Sequence, residues 1–256
     1  MRWFRKRRKS RGLSENVTSP TSSAASADED QQNRSNLKTA KPSGAIWVSD
    51  VYQRHELSIG FVTEPMRNKI TSIKFRDEDV EIAKKHSDGN KKNSRGEHVD
   101  PGAVPSELYW NLSEASPSTI PPVFNAGHPM LRADIAEIFK HHDLGQARLQ
   151  ETQLFGCDAE APLDYVAYAL IFQNQGHAID IAKSDVEPVW PGREVFKPKP
   201  DASLADCLVP DTRTVNGPAI WIDPNMFRYF FLSDALGSEL AAAGFGPAFG
   251  LTRLEF

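Results

Sequence analysis

The chain has 256 residues with 39% hydrophobic and 25% charged side chains, enough to bury a substantial core and ordinary for a water-exposed globular fold. Its two cysteines form no CxxC pair, which excludes a disulfide framework or a cysteine-rich zinc module, and no apolar run reaches the length of a membrane span. The net charge of −4 conceals an asymmetry: seven basic residues fall between Arg2 and Arg11, leaving 23 basic against 34 acidic residues elsewhere. An acidic body disfavours nucleic acid as a partner and favours a cationic one.

Residues 1–12, MRWFRKRRKSRG, are basic, and the stretch that follows lacks the hydrophobic segment of an export signal. Residues 13–44 are rich in Ser, Thr, Ala, Asn and Gln without an aromatic, so residues 1–44 read as a disordered basic tail and linker. A single α+β domain is expected over 45–256, with 45–122 its less sharply defined part. AIWVSDVY and LSIGFV begin it as β-rich segments. Residues 64–100 are charged, with Ile70, Ile73 and Phe75 as anchors. A weak strand or helix followed by an exposed loop is expected there, turning at Ser-Asp-Gly-Asn. Asp77, Glu78, Asp79 and Glu81 form its acidic cluster. Pro101 to Pro122 reads as a connection anchored by Leu108-Tyr109-Trp110.

Pro129 to Phe155 reads as a helix opening on Pro129, with Leu131, Ile135, Ile138 and Phe139 on its apolar face. Gly145 stops it and a strand holds Leu149 and Leu154. LDYVAYALIF is apolar on both faces and is expected in the middle of its sheet. The proline-studded stretch 191–218 suits a surface excursion that returns at the strand AIWI. The last unit, Phe230 to Phe256, has Ser233 as N-cap, a stripe of Leu232, Leu236, Leu240 and Ala243, and Gly244 as stop. Gly246-Pro247 blocks the helix from resuming, and a terminal strand carries Phe249, Leu251, Leu254 and Phe256. Laid without gaps on the earlier unit, it matches Leu131 to Leu232, Gly145 to Gly246, Ala147 to Ala248 and Phe155 to Phe256, which raises an internal repeat. The expected architecture is a mixed or antiparallel sheet with two or three short helices.

Catalytic chemistry has little footing. No GxSxG elbow, phosphate-binding loop or dinucleotide fingerprint occurs. His141 and His142, with His128 upstream, resemble a metal cluster only superficially, because neighbours on a helix point about 100° apart. His177 and Asp180 sit in an extended context that separates them. No catalytic, cofactor-binding or metal-binding residue is assigned, and no cofactor is expected.

The closing AIWID strand and FFLSDALGSELAAAGFGPAFGLTRLEF resemble the end of a bacterial toxin-immunity family, immunity family eleven. PPVFNAGHPMLRADIAEIFKHHDLGQARLQETQLF, the DYVAYALIF strand and AIDIAKSDV follow the family's order, so the resemblance covers about Val123 to Phe256. It implies a non-enzymatic cytoplasmic protein that binds and neutralises a cognate toxin encoded beside it. Asp77, Glu78, Asp79 and Glu81 are the expected partner-binding residues. Two other readings compete: a protein tethered to membrane or nucleic acid through Arg2–Arg11, and a hydrolase using His141, His142 or His177.

Overall fold

Strand alternation divides the apolar residues into three layers, and the sheets follow from that division. In a computed structural model, residues 44–70, 76–111, 117–214 and 217–256 are described; the expected tail, Ile73 and Phe75 lie outside them. In chain order the elements are β1 (Ala45–Ser49), β2 (Phe61–Val62), α1 (Glu64–Ile70), α2 (Asp77–Asn93), β3 (Glu107–Trp110), β4 (Val123–Ala126), β5 (His128–Arg132), α3 (Ala133–Lys140), β6 (Arg148–Phe155) and β7 (Pro162–Ile171). There follow β8 (Val186–Pro188), β9 (Phe196–Pro198), α4 (Leu204–Cys207), β10 (Ile220–Trp221), β11 (Phe230–Ser233), α5 (Asp234–Ala242), α6 (Gly246–Phe249) and β12 (Leu251–Glu255). The class is α+β as expected, though six helices are described where the sequence suggested two or three.

Six strands form a mixed sheet in the order β2-β3-β6-β7-β5-β4, four form an antiparallel sheet β10-β11-β1-β12, and β8-β9 is a separate ribbon. β7 lies inside the larger sheet, as its two apolar faces require. Its Leu170, with the following Phe172, enters a central core, whereas Ala167, Ala169 and Ile171 enter a second core on the opposite face. β11 divides in the same way: Phe230 and Leu232 point into the central core, and Phe231 joins Ile46, Val48 and Trp221 in a third. The central core therefore lies between the two sheets, with Ile135 and Phe139 of α3 and Leu236 and Leu240 of α5 packed into it.

The two units similar in sequence are similar in space. β5 and β6 are both antiparallel to β7, which lies between them; β11 and β12 are both antiparallel to β1, which lies between them. Each unit is thus a strand, a helix and a parallel strand, split by an antiparallel one. Leu131 of β5 faces Tyr168 of β7, and Leu232 of β11 faces Trp47 of β1, so the ungapped match holds through the first strand. It slips by one residue at the loop, because Tyr168 opposes Glu151 on its other side while Trp47 opposes Arg253. The slip coincides with α6, where Pro247 occupies the first helical turn. The chain was expected to extend from that point. The earlier helix also begins later than expected: Pro129 and Leu131 belong to β5, and α3 starts at Ala133.

The end unit otherwise follows its local chemistry. The Ser233 hydroxyl accepts from the Leu236 N–H at 3.3 Å, Leu232, Leu236 and Leu240 are fully buried, and Gly244 has φ +84. Ala243 is exposed, so the stripe ends one turn early. Trp47 lies across α5, its Nε1 donating to Asp234 at 3.0 Å, and a Cβ on Gly237 would stand 2.2 Å from the indole. Gly237→Ala is therefore expected to destabilise by about 1–3 kcal/mol despite alanine's better helix propensity, read as a lower urea midpoint.

Candidate functional site

The segment that the sequence leaves as a weak element and a loop is the helical pair α1–α2. The first turn of α2 holds Asp77, Glu78 and Asp79 against the positive helix end, and its last turn holds Lys91 and Lys92. Asp79 is an exception to the expectation that the acidic cluster is exposed. It is buried, its carboxylate accepting from the Arg76 N–H at 3.0 Å and from the Asn68 side chain at 3.3 Å. Those bonds, led by the Arg76 backbone, hold it below the usual carboxylate range. Asp79 thus fixes the helix start, whereas Asp77, Glu78 and Glu81 are exposed to solvent. The expected Ser-Asp-Gly-Asn turn is helix instead. A Cβ at Gly89 would lie 2.6 Å from the Ala103 carbonyl oxygen, and glycine lets α2 approach that turn.

Which face of α2 points inward is the informative feature. Asp79, Gly89 and Asn93 are buried and Ala83, His86 and Asn90 half-buried, a helical stripe that is small or polar throughout. Val80 and Ile82 point out, 44% and 38% exposed. With Met66 and Ile70 of α1 at 47% and 52%, they are four of the five exposed large apolar side chains among the described residues. The fifth is Trp190.

Behind the inward face lies a cavity of about 330 Å³, lined by α1, α2, Pro105 and the turn joining β4 to β5. Asn93 anchors its floor. The Asn93 Oδ1 accepts from the Phe172 N–H at 2.8 Å, and its Nδ2 donates to the Leu170 carbonyl at 2.9 Å and to His128 Nδ1 at 3.0 Å. Because Nδ1 of His128 accepts, its ring proton resides on Nε2. Burial, aided by nearby His86 and Arg148, pushes His128 down to about 4. Its Nε2, Nδ1 of His86 and Oδ1 of Asn90 are buried without a hydrogen-bond partner among the described residues.

A histidine held neutral links stability to pH. Between about pH 6.5 and 4 the unfolded chain binds a proton at His128 that the folded chain refuses, so the stabilisation is complete above 6.5 and is lost as pH falls. The loss expected over that window is about 3 kcal/mol, measured by denaturant titration at each pH, and it should shrink in His128→Gln.

His141 and His142, at the end of α3, both approach Glu239 of α5, His141 Nδ1 at 3.9 Å and His142 Nε2 at 2.7 Å, whereas His177 lies apart in a cleft with Arg213 and Trp221. The cavity that His128 lines contains none of these three. Among the described residues no group of three or more His, Cys, Asp or Glu side chains could hold a metal ion, and no helix is long and apolar enough to cross a membrane. Arg2–Arg11 lie outside the described residues.

Sequence reasoning missed the cavity because Asn93 and His128 are 35 residues apart and belong to no motif. The usable signal was the polar stripe 79-83-86-90-93 at helical spacing. Comparison with protein-family models and with curated proteins gave no match to the chain.

Proposed function

We propose that the chain is an immunity protein that neutralises a cognate, basic bacterial toxin by direct stoichiometric binding, and that the outer surface of α1–α2 makes the contact. The resemblance over Val123 to Phe256 motivates the class. The observation that carries the choice of surface is the inverted helix α2, with Val80 and Ile82 in solvent while polar residues face inward. Val80 and Ile82, two residues apart, stand on opposite flanks of α2 with Asp77, Glu78 and Glu81 on the exposed face between them, and a surface that interleaves apolar and acidic side chains suits a cationic protein partner. The acidic excess of the chain complements a basic partner and accelerates its approach.

Substituting Val80→Asp and Ile82→Asp tests the surface. Both side chains are solvent-exposed, so the fold is expected to persist while toxin affinity falls by on the order of a hundredfold. Neutralising Asp77, Glu78 and Glu81 is expected to slow association and flatten its salt dependence. Unchanged affinity and unchanged salt dependence in these variants would remove the surface from the proposal.

A further inference from the structure

A second cleft, of about 360 Å³, lies at the C-terminal end of α2, away from Asp77 and Val80, and differs from the rest of the surface in its charge. Arg54, Lys91 and Arg228 line it with His55, Ser58 and Asn125, and no aspartate or glutamate does, although the chain beyond its first eleven residues is acidic. The three cations come from the turn after β1, the last turn of α2 and the segment before β11. Arg54 is held by the Pro247 and Ala248 carbonyls, and by a Glu56 that does not line the cleft. Lys91 meets Asp88 at 3.2 Å, but both are exposed, and such a pair is weak enough to yield to a ligand. The helix end itself does not repel an anion, because the carbonyls of Asn90, Lys91, Lys92 and Asn93 all accept hydrogen bonds from the residues that follow.

Arg228 joins the cleft to an aromatic strip. Its guanidinium lies 5.1 Å from the Phe227 ring centroid, and Phe227 meets Trp190 edge-on at 5.0 Å. Trp190 is 44% exposed, with Arg193 5.9 Å from its ring. Arg228 also has φ +62, a backbone conformation that costs a side-chain-bearing residue energy and recurs at binding sites. Gathering three cations costs Coulomb energy, and an anion with several oxygens recovers it through charge-assisted hydrogen bonds.

We propose that this cleft binds a nucleoside diphosphate, with the phosphates between Arg54, Lys91 and Arg228 and the base on the exposed face of Trp190. The volume suits a small molecule, and the acidic excess of the surrounding chain disfavours a longer polyanion. The site lies at the opposite end of α2 from the acidic residues and does not depend on whether the chain binds a toxin.

The test is a titration of the 15N-labelled full chain with adenosine diphosphate, pyrophosphate and adenosine, each to about 10 mM, the range in which weak ligands of this size bind. The diphosphate is expected to give saturable shifts at the Arg228 Nε–H and the Trp190 indole N–H. Pyrophosphate, which lacks the stacking base, should bind on the order of tenfold more weakly, and adenosine on the order of a hundredfold. Arg228→Gly removes one cation and places at φ +62 the residue that adopts it most freely, so the chain should fold while affinity falls about tenfold. Lys91→Ala should act to a similar degree, Trp190→Ala should bring the nucleotide down to the affinity of pyrophosphate, and Arg95→Ala, at an exposed cation outside the lining, should change nothing. No saturable shift with the nucleotide, equal binding of any two of the three probes, full affinity in Arg228→Gly, Lys91→Ala or Trp190→Ala, or an equal loss in Arg95→Ala would overturn the proposal.

Discussion

Asn93→Leu is expected to lower the unfolding free energy by about 3–5 kcal/mol, among the largest losses for any single polar side chain of this protein. The residue is fully buried and closes four contacts at once: the Phe172 N–H, the Leu170 carbonyl, His128 Nδ1, and the Tyr52 hydroxyl at 3.4 Å. Leucine has a similar volume, so the loss comes from stranding a backbone N–H, a carbonyl and an imidazole nitrogen away from water and not from a void. A second readout separates this from a packing defect. With its acceptor role released, the His128 ring should no longer hold one tautomer, and its two 15N shifts should move toward each other. Denaturant titration and histidine 15N spectra check the two parts.

Phe139→Ala is expected to cost about 3–5 kcal/mol as well, for the opposite reason. Phe139 is fully buried on α3 and stands 6.0 Å, centroid to centroid, from Phe249 of α6. It belongs to the core that also holds Leu236 and Leu240 of α5, so its loss opens a cavity where the two strand-helix-strand units meet. The same truncation in each unit, Phe139→Ala and Leu240→Ala, should be non-additive in a double-mutant cycle, since both side chains belong to one core cluster. Additive losses would show that the two units pack independently.

How far the sequence foretold the fold depended on which side of each element carries the apolar residues. β7 was legible because Tyr165 to Phe172 is apolar on both faces, and the end unit because Ser233, Leu236, Leu240 and Gly244 each perform a local task. α2 was illegible by the same criterion: its inward residues are Asp79, His86, Asn90 and Asn93, so hydrophobic periodicity reported a solvated loop. Gly89 strengthened that misreading, since a glycine needed for close approach to Ala103 is written like one needed for a turn. β2 and β10 fall inside segments expected as β, LSIGFV and AIWI, whereas the strands of the ribbon β8-β9 have three residues each, too few to show a period.

The candidate surface was legible only in outline. Of the four acidic residues, Asp77, Glu78 and Glu81 are exposed and Asp79 is buried, and the exposed apolar residues of the same pair of helices carried no local signature. The cavity was not legible at all, since it is assembled from α1, α2 and the β4–β5 turn across about 65 residues of chain.

The most direct test of the proposed toxin neutralisation is isothermal titration calorimetry of the full chain against a toxin encoded beside it, in a catalytically inactivated form if that toxin is an enzyme. The account predicts a saturable one-to-one complex with a dissociation constant below about 1 μM that weakens as salt is raised. The absence of heat and of co-elution at micromolar concentrations of both proteins would contradict it.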